Sequence, residues 1–168
     1  MSNAVSLPPY VVEEARHDDV DALASLERRC YTHPWSVRGF REALRRGENG
    51  LVLVARAPAG ADPERGILGY CVLETAADEL HVHNLAVRPE YRGGGLGRRL
   101  LAIALTIGER RGARVALLEV RASNQPAIEL YRSMGFAPVA VRRNYYSQPS
   151  EDALVLRKDG LGDAGNQP

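Results

Sequence analysis

Glu119 stands near the end of "RVALLEV" (Arg114–Val120), an otherwise apolar run. A carboxylate in such a strand is rarely buried without a reason. Five residues later Asn124 stands second in "SNQPAIELYRSMGF", and Tyr131 follows Asn124 by seven positions. Two helical turns separate them, so both face one side of a helix. A carboxylate that takes a proton and a phenol that gives one make an acid–base pair. Each residue also has a plain structural reading. Glu119 can pair with Arg121, Tyr131 can be a packed core aromatic, and Asn124 can be a helix cap as well as a ligand.

The second candidate is "VRPEYRGGGLGRRLL" (Val87–Leu101), where three glycines lie between a strand-like and a helix-like segment. A helix N-terminus presents unpaired N–H groups and partial positive charge, and glycines let the backbone approach an anion closely. The loop is therefore a candidate phosphate cradle; the alternative is a turn with no ligand. A Walker loop would need Gly-Lys-Ser/Thr, but Gly97 precedes Arg98 and Arg99. A dinucleotide fingerprint starting at Gly95 lacks its third glycine, because Leu100 stands there. The remaining pattern is Arg92-x-x-Gly95-x-Gly97. His81 and His83 share one face of a strand, yet no third ligand matches them, so no metal is expected.

These groups need a frame. "YVVEEA" (Tyr10–Ala15) reads as a strand. Asp18 or Asp19 is expected to cap a helix through about Arg29, with Val20, Leu23 and Leu26 on one face. Ser36 caps a second helix through Arg46, with Phe40 and Leu44 at i,i+4 spacing. "LVLVARA" and "ILGYCVLETA" are strands around the turn-rich "PAGADPERG", and "ELHVHNLAV" (Glu79–Val87) is a third. An amphipathic helix covers Leu96 to Arg111 and ends at Gly112. "RVALLEV" reads as a strand buried on both faces. Ser123 or Asn124 caps the next helix, which Gly135 ends. "APVAVRR" and "DALVLRK" are strands flanking the loop "NYYSQPSE". The order β-α-α-β-β-β-α-β-α-β-β is an α/β fold with a mixed sheet flanked by helices. One domain over 1–159 is expected, with a disordered tail over 160–168.

The chain has 168 residues, 45% hydrophobic and 26% charged, as a soluble globular domain does. A net charge of +1 argues against a nucleic-acid partner. No apolar run approaches the roughly 20 residues of a membrane helix, and "MSNAVSLPPY" has no signal-peptide pattern. Cys30 and Cys71 have no metal or disulfide spacing and read as reduced, half-buried thiols of a cytoplasmic protein.

Arg92-x-x-Gly95-x-Gly97 resembles the pyrophosphate-binding signature of the GNAT N-acetyltransferases. The resemblance spans about Tyr10 to Lys158. It is closest to the RimI type, which acetylates the terminal alanine of a ribosomal protein. The narrower matches are "HPWS" (His33–Ser36), "NLAV" (Asn84–Val87), "LEVRASNQPAIELYRSMGF" (Leu118–Phe136) and "RRNYY" (Arg142–Tyr146). The resemblance implies a GNAT fold with a splayed parallel strand pair, and acetyl-CoA as cosubstrate. It implies Glu119 as base and Tyr131 as acid. Leu85, Ala86 and Val87 would line the pantetheine arm, with the Val87 N–H on the thioester carbonyl. Arg92, Gly93, Gly94, Gly95, Leu96, Gly97 and Arg98 would hold the pyrophosphate, and Asn124 the amide arm. Arg88 and Arg99 would add positive charge. Trp35, Tyr145 and Tyr146 would wall the acceptor groove, although Trp35 also reads as an interhelix core residue. Other acetyltransferases carry their base on the strand of His81 and His83, so either could assist or replace Glu119.

The acidity of amines agrees with the acceptor that the resemblance implies. A free α-amine has a reference pKa of about 7.7–8.0 and lysine about 10.4. At pH 7 about one α-amine in seven is neutral, against about one lysine in 2,500. A single carboxylate with a water therefore suits a protein N-terminus. The expected partner is a ribosomal protein's N-terminus, met by a monomer or weak dimer. The rivals are a GNAT enzyme acting on a small amine or lysine, and a non-catalytic module that binds acetyl-CoA.

Overall fold

The computed structural model describes residues 5–61 and 66–163. The start of "MSNAVSLPPY", Asp62–Arg65 of the turn-rich loop and residues 164–168 of the expected tail lie outside the described residues.

The elements follow the expected order. Strand β1 (Val11–Glu14) leads to a 3-10 turn and helix α1 (Val20–Cys30), then helix α2 (Val37–Leu44). Strands β2 (Gly50–Arg56), β3 (Ile67–Ala76) and β4 (Glu79–Val87) come next. Helix α3 (Leu96–Arg110), strand β5 (Val115–Arg121), helix α4 (Gln125–Ser133) and strands β6 (Ala137–Tyr146) and β7 (Glu151–Lys158) follow among the described residues. The seven strands hydrogen-bond in the order β1-β2-β3-β4-β5-β7-β6. The β4–β5 pair is parallel, running from Glu79↔Val115 to Val82↔Leu118. The β1–β2, β5–β7 and β6–β7 pairs are antiparallel. This is the mixed sheet that the sequence pattern predicts.

Backbone contacts divide the chain into two compact units, Met1–Leu73 with Asn84–Ala104 and Glu74–His83 with Leu105–Pro168. In the first unit, Leu23, Phe40, Val54 and Tyr70 are almost fully buried in one cluster. Phe40 meets Tyr70 edge to face at 5.4 Å and Trp35 at 5.6 Å. Gly69 of β3 marks a close approach: a Cβ there would stand 2.8 Å from the Ala86 carbonyl oxygen. In the second unit, Leu80 packs on Gly108, where a Cβ would meet it at 2.7 Å. Lys158 lays its Nζ over Gly135, 2.7 Å from where a Cβ would be.

Two caps are as read. The Ser36 hydroxyl accepts from the Gly39 N–H at 3.1 Å, and the Asn124 Oδ1 accepts from the Ala127 N–H at 3.3 Å. Asp19 stands at the N-cap of α1 but makes no side-chain capping bond. Its carboxylate accepts instead from the Arg16 N–H at 2.7 Å and from Arg56 at 2.8 Å. A charged guanidinium on β2 is the stronger partner.

Three further expectations change. Strand β5 alternates buried and half-buried residues, so it is not buried on both faces. Its half-buried side carries Glu119 and Arg121, whose charges keep that face near solvent. Strand β6 runs on through Tyr146, so Tyr145 and Tyr146 lie on a strand and not in the loop. Positive φ at Asn144 and a register irregularity absorb the bend. Residues 160–163 are anchored: Leu161 is buried and its N–H donates to the Arg114 carbonyl at 3.0 Å.

Candidate active site

The glycine loop sits where a helix begins. After β4 a 3-10 turn (Pro89–Tyr91) leads to Arg92, and α3 starts at Leu96. Gly93 and Gly95 have φ of +80° and +84°, with nothing within 4 Å of an added Cβ. Side chains other than glycine rarely adopt that backbone. The Arg99 N–H donates to the Gly95 carbonyl at 3.0 Å, which closes the first turn of the helix. Gly93, Gly94 and Gly95 are exposed, Gly97 is half-buried and Leu96 is buried as the anchor of the first turn. Arg98 and Arg99 are exposed, whereas Arg88 is only 5% exposed. Arg88 is therefore not one of the surface charges expected around the loop.

The end of β4 is held by the end of α1. Arg88 N–H donates to the Leu68 carbonyl at 2.9 Å, and the Ala86 carbonyl faces Gly69 of β3. Backbone groups alternate along a strand, so Leu85 and Val87 address the other edge. Their carbonyls already have partners. Tyr31 Oη donates to Leu85 O at 2.5 Å, Arg92 Nε to Val87 O at 3.1 Å, and Cys30 Sγ lies 3.6 Å from the same oxygen. A ligand along this edge would find the N–H groups of Leu85 and Val87.

The residue that sequence reasoning missed is Glu27. It lies in α1 and is 1% exposed. Its carboxylate accepts from the Trp35 N–H at 3.1 Å, from Asn84 Nδ2 at 3.1 Å and from the Tyr70 hydroxyl. Burial pushes its pKa up, and the bonds from Trp35 and Asn84 pull it partly back. Glu27 stands three and four residues from Ala24 and Leu23, on the apolar stripe of α1. A charge inside such a stripe is the signal that could have found it. Trp35 itself is half-buried against Phe40 and the surrounding cluster, so its core role is observed.

In the second unit Glu119 pairs with Arg142 at 3.2 Å and not with Arg121. Arg121 pairs with Glu151 at 3.4 Å and stacks on the Tyr146 ring at 4.2 Å. Arg142 lies 5.5 Å from the Tyr145 ring, and the two tyrosines meet edge to face at 5.1 Å. Burial pushes the Tyr146 hydroxyl up to about 12; Tyr145, Glu119 and Glu151 push the same way and Arg121 opposes them. Glu119 and the two tyrosines thus belong to one cluster. Tyr131 is 7% exposed in α4 and packs edge to face against Phe136 at 6.0 Å. Asn124 spends its Oδ1 on the cap, which leaves Nδ2 for a ligand.

His81 and His83 stack at 6.1 Å. Each meets a carboxylate, His81 with Glu79 at 2.8 Å and His83 with Glu74 at 2.9 Å. Among the described residues no three His, Cys, Asp or Glu side chains gather as a metal site, and no helix is long and apolar enough to cross a membrane.

Residues 20–136 match the Acetyltransferase (GNAT) family. The chain is 37% identical over 142 residues to the [ribosomal protein bS18]-alanine N-acetyltransferase of Escherichia coli K12, covering 82% of this chain and 89% of that one. It is 34% identical over 157 residues to the N-alpha-acetyltransferase RimI of Mycobacterium tuberculosis, covering 90% and 93%. The crystal structure of the ribosomal-protein-S18-alanine N-acetyltransferase from Escherichia coli superposes with a TM-score of 0.78 at 33% identity, over 90% of this chain and 94% of that one. A strand-to-glycine-to-helix loop, a parallel strand pair and this likeness along most of the chain agree, and the chain belongs to the GNAT acetyltransferase family.

Proposed function

We propose that this protein transfers an acetyl group from acetyl-CoA to the N-terminal α-amine of a protein, with the terminal alanine of a ribosomal protein as substrate. The observation that carries the reading is Glu119 within the Arg142–Tyr145–Tyr146 cluster. It sets a carboxylate among the aromatic groups that would wall a peptide groove. Acetyl-CoA, when bound, supplies the acetyl thioester. The open, positive-φ Gly93–Gly95 backbone ahead of α3 fits its pyrophosphate, with Arg92, Leu96, Gly97 and Arg98 completing the loop. The N–H groups of Leu85 and Val87 and the Nδ2 of Asn124 receive its amide arm. Glu119, through a water, takes the proton that the attacking amine loses. Tyr131 returns a proton to the departing thiolate. Direct transfer leaves no acetyl group on the enzyme. A ribosomal acceptor makes this a cytoplasmic reaction.

The test compares a peptide beginning Ala-Arg with one blocked at its N-terminus but carrying a lysine, and mass spectrometry locates the acetyl. Acetylation of the free terminus alone is expected. Modification of lysine alone would move the substrate to the small-amine and lysine class, and acetyl-CoA binding without turnover would leave a binding module. Tyr131→Phe is expected to slow turnover about 100-fold or more, in the range of general acid–base catalysis, with acetyl-CoA affinity retained. A wild-type rate would remove Tyr131 from the mechanism. Glu119→Gln is expected to flatten the acid limb of the pH–rate profile. One observation favours a second base. His83, oriented by Glu74, stands one residue past the paired Val82↔Leu118 position, as Glu119 does. If His83→Ala flattens that limb and Glu119→Gln does not, the base is His83.

A further inference from the structure

Glu27 has no part in the acid–base reading, yet among the described residues it is the most buried charged side chain: 1% exposed, with three donors converging on one carboxylate. The donors come from three different elements. The Trp35 N–H belongs to the connection between α1 and α2, the Asn84 amide to β4 and the Tyr70 hydroxyl to β3. No guanidinium or ammonium neutralises the carboxylate among these contacts. A carboxylate kept in a core by neutral donors is expensive, and a leucine-like side chain would fill the same space in an apolar stripe. Stability alone does not account for it.

Its neighbours show what it fixes. Over the last turn of α1 and the residue beyond, Glu27 holds Asn84, Tyr31 holds the Leu85 carbonyl, Cys30 lies against the Val87 carbonyl and Arg29 pairs with Glu90 at 2.9 Å. Residues 27 to 31 thus grip residues 84 to 90, the strand end and turn that lead into the glycine loop. Glu27 adds what the others lack: its Oε1 also receives the Trp35 N–H. One carboxylate therefore ties the "YTHPWS" connection to β4.

We infer that Glu27 is a positioning residue that registers the acceptor-side connection at Trp35 against the β4 segment beginning at Asn84. The inference rests on the proposed acetyl transfer for its catalytic consequence, but the registration itself is a property of the fold. Glu27→Gln keeps the volume and replaces one acceptor oxygen by a donor, which opposes the Asn84 amide bridging both oxygens. The paired exchange Glu27→Gln with Asn84→Asp restores an amide facing a carboxylate.

The experiment reads Trp35 fluorescence, peptide kinetics and acetyl-CoA affinity on the folded protein. Trp35 is the only tryptophan, so its emission reports on the connection directly. In Glu27→Gln the emission is expected to shift to the red and acrylamide quenching to rise. With the Ala-Arg peptide, KM is expected to rise and kcat to fall, for a combined loss of about 10–100-fold from misplacement, while acetyl-CoA affinity stays at the wild-type value. The paired exchange is expected to recover part of both. A variant with lowered Tm but wild-type emission, KM and kcat would make Glu27 a packing group and overturn the inference. If the wild type acetylates no peptide, the proposed function fails separately. Trp35 emission then decides the registration, and an unshifted spectrum overturns it.

Discussion

The two thiols have different surroundings and should behave differently. Cys71 is fully buried in β3, and burial pushes its pKa up to about 12. Cys30 is half-buried at the end of α1; burial raises its pKa too, but the nearby Arg92 charge draws it back. The thiolate is the reactive form, so an aromatic disulfide reagent is expected to titrate one thiol slowly in the native protein and both after unfolding. Two rapid native equivalents would contradict this packing. Glu27 and Asp19 give opposite pH slopes. Burial raises the Glu27 pKa above 4.5, so the folded state binds its proton more tightly. That stability is present below pH 4.5 and declines as pH rises through the folded value. Burial also pushes Asp19 up, but Arg56 and the Arg16 N–H outweigh it and leave its pKa below 3.8. Its contribution is present above that value and is lost as pH falls through the lower folded one. Urea unfolding between pH 4 and 7 is expected to show the Glu27 decline in the wild type and not in Glu27→Gln. An unchanged slope in the variant would assign the decline to another group.

At the level of elements, the aromatic cluster of Trp35, Phe40 and Tyr70 joins α2 to β3. Phe40 is 0% exposed, and Phe40→Ala is expected to cost about 3–5 kcal/mol, as buried aromatics do, with calorimetry as the check. A loss below about 1 kcal/mol, the level of surface substitutions, would mean the cluster refills. The β3–β4 contact is equally specific. Gly69→Ala places a methyl 2.8 Å from the Ala86 carbonyl, and backbone cannot move aside as a side chain can. The order of elements and two caps were legible because hydrophobic period and turn residues act locally. Glu79–Val87 was bounded correctly from its flanking turn and glycine loop. What failed was long-range. Asp19 has the right type for a cap, and only the fold brings Arg56 to it. The apolar run of β5 hides that one face meets solvent. Glu119 and Arg121 are two residues apart, but their partners, Arg142 and Glu151, come from strands more than 20 residues on. Glu27 was missed, although a charge on an apolar stripe is a signal in the sequence; its three donors leave no such signal.

For the whole molecule the decisive property is ligand linkage. A ligand that binds only the folded state stabilises it by about 2.7 kcal/mol at one hundred times its Kd. For a chain of this size each kcal/mol moves Tm by about 2–4 °C. Acetyl-CoA at that concentration is therefore expected to raise Tm by about 5–10 °C, and Gly95→Val, forced into positive φ at the loop, should remove most of the rise. No shift with acetyl-CoA in the wild type would count against the cofactor assignment.

The position of Lys158 over Gly135 bears on how any acetyl found on this protein itself is to be understood. Lys158 is the only lysine in the sequence. Apart from the α-amine that begins the chain, it is the one side chain on which a stable acetamide can form. An acetyl group on a hydroxyl, thiol, imidazole or carboxylate is an activated acyl group or an ester, which hydroxylamine cleaves. A chemistry that usually blurs into background modification is here separable by one reagent, and a hydroxylamine-labile mark that forms and disappears within a turnover would rule out direct transfer.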